Sequence, residues 1–152
     1  MAAAPTPVAG ARAHWVQIAV GMKDDLQAYQ QLQELLRTQF HAALRHDAAG
    51  MAQVAQQISA QAQLLEASRV RRVAHARALL PAGATLSMTA VLALLQSPLK
   101  EQLGHLWAQL QQQVQACKAM NLQNCEIIMD QAQTMRQIVQ GRSAEEGIYG
   151  PV

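Results

Sequence analysis

The side chains able to carry catalysis or bind a metal are few and scattered. The five histidines stand at 14, 41, 46, 75 and 105. None belongs to a Glu-x-x-His or His-Glu-x-x-His arrangement, the spacings that bring two ligands to one helical face. No metal and no cofactor is expected. Cys117 falls on an apolar stripe, where a thiol serves as a small hydrophobe, while Cys125 lies beside Asn124 and Glu126, and neither has a base near it in sequence. On one helix these cysteines stand about 12 Å apart, too far for a disulfide. His75 sits among Arg69, Arg71, Arg72 and Arg77, a run that reads either as a grip for phosphate or an acidic partner, or as a solvated helix end. No aromatic residues interleave with the arginines, as stacking on bases requires, and cations are favoured near a helix C-terminus. The solvated end is therefore the expectation, with no nucleic-acid partner and no enzyme activity.

The elements that must position these residues are helical. The chain has 152 residues, enough for one domain with a core. Hydrophobic residues make up 51% but aromatics only 3%, and Gln and Ala are abundant while β-branched residues are sparse. The formal net charge is +2, too small to argue for a polyanionic partner. The start, with Pro5 and Pro7, lacks a basic segment followed by an apolar run, so residues 1–12 are expected to be disordered rather than a signal peptide. The most apolar stretch, Met88 to Leu95, is far shorter than a membrane span. A cytoplasmic protein is expected.

Apolar residues at Trp15, Ile18, Met22, Leu26, Tyr29, Leu32, Leu36, Phe40 and Leu44 advance by three and four, predicting a helix from about 14 to 45. His46 and Asp47 interrupt it, and Asp47 can cap a second helix running from about 48 to 80, which Pro81 and Gly83 end. Ser87 can cap a short helix over 88–96, and Ser97-Pro98 starts the last one. Its stripe, Leu99, Leu103, Leu106, Leu110, Val114, Cys117, Asn121, Asn124, Ile128, Met135 and Ile138, follows heptad-like steps to Gly141, which is placed to stop it. The prediction is an all-α fold, an elongated antiparallel bundle of three long helices with one short connecting helix, in one domain over 1–152. Residues 142–152 would form a flexible tail.

Two features look like binding devices. Asn121 and Asn124 occupy stripe positions where an unpaired amide is costly, so they either fix register against other helices or face a groove open to a ligand. Beyond them Ile127, Ile128, Met129, Met135, Ile138 and Val139 make more than one face apolar. A second apolar face calls for a second partner, either a homodimer mate or a cargo helix to which methionines adapt. In the tail, Ile148 and Tyr149 are an apolar pair among polar residues, either an anchor for a partner or a segment folded back on the bundle.

Taken together, Leu106-Trp107-x-x-Leu110, Cys117-x-x-x-Asn121-x-x-Asn124, Ile127-Ile128 and the terminal Tyr149-Gly150-Pro151 resemble the FlgN family of flagellar type III export chaperones. The resemblance implies a chaperone for the hook-filament junction proteins FlgK and FlgL, which delivers them to the export gate protein FlhA. It maps cargo binding onto Asn121, Asn124, Ile127, Ile128, Met135 and Ile138, and gate docking onto Ile148, Tyr149 and Gly150. Family members usually carry Gly after the second Asn, where this chain has Cys125, and that alters the shape expected of the cargo groove.

Overall fold

The computed structural model describes residues 10–149, with side chains described to Gly141. It contains four helices, α1 (Ala11–Leu44), α2 (Ala48–Leu79), α3 (Met88–Leu92) and α4 (Leu99–Tyr149), and no strand among the described residues. α1 starts at Ala11, inside the stretch expected to be disordered, and residues 1–9 lie outside the described ones.

The reversal between α1 and α2 takes three residues. His46 adopts a left-handed conformation, φ 55°. Its amide donates to the Ala43 carbonyl and that of Asp47 to Ala42, the paired bonds that close a helix C-terminus. The Asp47 carboxylate then accepts from the Gly50 amide at 2.9 Å, as the N-cap of α2. A Cβ at Gly50 would collide with that carboxylate, so the cap and the glycine belong together.

α3 is shorter than the expected 88–96. Ser87 caps it by accepting from the Ala90 amide at 3.0 Å, but the helix ends at Leu92 and residues 93 and 94 form a turn. The chain must reverse before Pro98, and a residue preceding proline disfavours helix. α4 begins one residue after Pro98, whose carbonyl accepts from the Gln102 amide. It does not stop at Gly141. The backbone stays helical to Tyr149, so the expected tail over 142–152 is helical in its described part. Gly141 does not take the left-handed conformation that would close the helix; a glycine inside a helix costs about 1 kcal/mol without ending it. At 51 residues α4 is about 76 Å long.

α1 and α4 run parallel and α2 runs antiparallel to both. α1 is the central helix, packed against α2 along one side and α4 along another, whereas no Cα of α2 comes within 8 Å of a Cα of α4. α3 sits between the ends of α2 and α4 and touches both. At that end Ile18, Met22, Ala76, Leu79, Val91, Leu92, Leu103 and Leu110 form the larger core, with Trp15, Leu106 and Trp107 against it. A second core further along joins Leu32, Leu36, Leu65 and Cys117. Leu44, the last residue of the α1 stripe, is exposed.

Candidate functional site

The seam between α1 and α4 is a heptad ladder. On α4, Leu103, Leu110, Cys117, Asn124, Gln131 and Ile138 recur every seven residues. Three of them donate to α1 backbone carbonyls that are themselves seven apart. The Cys117 thiol reaches Tyr29 O at 3.7 Å, Asn124 Nδ2 reaches Leu36 O at 2.8 Å, and Gln131 Nε2 reaches Ala43 O at 2.9 Å. Each carbonyl has a second lone pair to offer beyond its helical bond. Asn124 also donates to Gln39 Oε1 at 2.9 Å, and Gln33 donates to Gln113 alongside. Polar groups repeated at seam positions fix which residues face each other.

The ladder places the asparagines apart. Asn124 is buried and bonded into the core, whereas Asn121, also read as a stripe position, is exposed. Asn121 is therefore not held by the seam, and α2 does not approach α4 closely enough to bring a Cα within 8 Å of it. Burial pushes the Cys117 thiol up, against a smaller opposing effect of its hydrogen bond with Gln33, which keeps it protonated in its structural position.

α1 ends at Leu44, one residue past the Gln131 rung, and α4 continues for about 27 Å. The next rung, Ile138, has no α1 residue to meet and is 52% exposed. Met135 and Val139, 59% and 55% exposed, lie on the same face. Ile127 and Ile128 are half-buried at the edge of the bundle. A second exposed stripe, Leu122, Cys125 and Met129, runs on another side of α4. Among the six residues assigned to cargo from sequence, Asn124 is thus a register residue, while Met135 and Ile138 form an uncovered continuation of the seam. The side chains of Ile148 and Tyr149, and Gly150, lie outside the described residues.

Some contacts that tie the helices were not legible in sequence. Asp25, buried on α1, accepts from Arg72 Nη1 of α2 at 2.7 Å, and the same guanidinium lies over the Trp107 ring of α4, 5.4 Å from its centre. Burial first, then the neighbouring Asp25 carboxylate, raise the Tyr29 phenol above its ordinary value. The arginine run is therefore not simply a solvated end. Arg72 is a bridge between three helices, and Arg69 pairs with Glu66. His14 and His75, expected to stand apart, meet with Nδ1 atoms 2.9 Å from each other, one ring donating and the other accepting. Only tertiary contact reveals the Asp25–Arg72, Arg72–Trp107 and His14–His75 contacts, because their partners are dozens of residues away.

Among the described residues no three His, Cys, Asp or Glu side chains gather as a metal site, and no helix is long and apolar enough to cross a membrane. What the geometry offers is an exposed apolar helix face at Met135, Ile138 and Val139. Comparison with curated proteins and with solved structures finds no match. The FlgN protein family model matches residues 17–151, nearly the whole chain. A long terminal helix that outruns its bundle and a family match of that extent lead to one conclusion: this chain belongs to the FlgN family, a family of flagellar export chaperones.

Proposed function

We propose that the protein is a cytoplasmic chaperone for hook-filament junction proteins of the FlgK and FlgL kind. Its cargo is the amphipathic C-terminal helix of these proteins, laid along α4 where α1 no longer covers it. The observation that carries this reading is the uncovered heptad at Ile138, with Met135 and Val139 beside it. A cargo helix there takes the place α1 holds nearer the bundle, against a face already spaced to receive a helix. Ile127 and Ile128 form the inner end of the surface, and Asn121 its polar rim. Asn124 acts indirectly by holding the register of α4. Calorimetric titration with the C-terminal segment of a junction protein tests the reading: saturable binding at micromolar concentration or tighter is expected, and its absence with α4 folded would sink it.

Delivery to the export gate protein FlhA is assigned to Ile148, Tyr149 and Gly150. Tyrosine supplies a large contact area and a hydrogen bond for two side-chain torsions. Tyr149→Ala should retain cargo affinity and lose binding to FlhA; equal gate affinity of the two proteins would remove the tyrosine from the mechanism.

The same exposed stripe supports a second reading, an adaptor bundle that homodimerises through α4. Light scattering separates the two. A dimer that persists on dilution and is broken by Ile138→Asp favours self-association, and a monomer favours cargo.

A further inference from the structure

At the end of the molecule opposite the α4 overhang, the gap between α2 and α4 leaves a notch of about 270 Å³. Val73 and Ala76 of α2 form one wall, Trp107 of α4 the other, and Leu86 and Met88 close it from the α3 side. All but Ala76 are only partly buried, so the notch opens to solvent, and its size suits one bulky apolar side chain.

Its rim is cationic. Arg69 and Arg72 line it, and no acidic side chain does. Glu66 and Asp25, which pair with these arginines, line an adjoining hollow with Tyr29, Leu32 and Ala62, and Arg69 and Arg72 line both. Arg72 uses Nη1 for Asp25, and Arg69 uses Nε and Nη2 for Glu66. Along α2, Arg69, Val73 and Arg77 stand four residues apart in one row. Arg77 is exposed and, among the described residues, has no acidic partner.

We propose that this notch is a second protein-docking site, separate from the cargo surface, for an acidic segment of a partner that inserts a large aromatic or aliphatic side chain against Trp107. The apolar floor supplies the seat, and the arginine row selects carboxylates beside the inserted side chain. A nucleic acid suits it less, because the notch admits one side chain and only Trp107 offers a stacking face.

A Trp15→Phe chain leaves Trp107 as the single tryptophan and makes its emission a local probe. The ligand is a synthetic peptide with one phenylalanine flanked by glutamates. A saturable change in Trp107 emission is expected, lost when the phenylalanine becomes alanine or the glutamates become lysines. Affinity should weaken about tenfold in Arg77→Glu, an exposed position whose change leaves the helical circular dichroism intact. The junction-protein segment at α4 should not compete. The proposal is overturned if the glutamate peptide gives no saturable change, if the lysine peptide binds equally, if Arg77→Glu has no effect, or if a single-stranded oligonucleotide binds more tightly than the peptide. Failure of the cargo titration leaves the peptide, Arg77→Glu and oligonucleotide readouts intact.

Discussion

The amide of Asn124 lies buried in the α1–α4 seam and donates to the backbone carbonyl of Leu36 at 2.8 Å, one rung of a ladder shared with Cys117 above and Gln131 below. A shift of either helix by one turn would break every rung at once. The register of the seam therefore decides how far α4 projects beyond α1, and so how much of the apolar stripe is left for a partner.

Asn124→Ala should cost about 1–2 kcal/mol, from the hydrogen bonds lost to Leu36 and Gln39 and a small void. Asn124→Leu should cost less, because the Leu36 carbonyl keeps its helical bond while the seam gains apolar area. Urea denaturation measures both. A larger loss for Leu than for Ala would mean that the amide does more than set register.

The link between Asp25 and Arg72 makes a sharper prediction. Both are largely buried, the side chains 6% and 14% exposed, so removing one strands the charge of the other. Asp25→Ala should destabilise by about 3 kcal/mol, whereas the apolar pair Asp25→Leu with Arg72→Met should regain most of that. Thermal melts of the single and double variants decide it, and additive losses would show that the pair is not coupled.

These two sites mark the boundary of what the amino-acid pattern discloses. The heptad spacing of Leu103, Leu110, Cys117 and Asn124, and the cap at Asp47, are local and periodic, and they could be read directly. Asn121 could not be placed, because a stripe spaced by threes and fours specifies a face but not whether two helices or one will cover it. The Asp25–Arg72 pair and the His14–His75 contact join residues far apart in the chain and leave no periodic trace. Gly141 reads as a stop in the sequence, but a glycine ends a helix only when the backbone turns left-handed, and here the helix continues.

Alkaline pH should loosen the packing on both sides of α1. The Cys117 thiol and the Tyr29 phenol are both raised chiefly by burial, from ordinary values of 9.0 and 10.0. In the unfolded chain they lose their protons near those values, while the folded chain holds them to higher pH. The unfolded state then binds fewer protons, so stability is intact below pH 9.0 and declines as pH rises toward the folded values. The urea midpoint should fall across this range, and Cys117→Ala should remove the earlier part of the fall. A midpoint that stays level through pH 10.0 would contradict the burial of the Cys117 thiol.

The overhang separates binding from folding. Met135 and Ile138 are more than half exposed and lie beyond the last α1 rung, so replacing both with serine removes little buried area. Stability should change by no more than about 0.5 kcal/mol. Affinity for the junction-protein helix should fall at least tenfold, about 1.4 kcal/mol, because two apolar anchors would lose their seat on that helix. Calorimetry and urea denaturation on the same sample test both halves. A large loss of stability would mean that these residues pack within the free protein, and unchanged affinity would move the cargo elsewhere. The stripe of Leu122, Cys125 and Met129 is the surface to examine next in that event, with Leu122→Ser and Met129→Ser made in the same background.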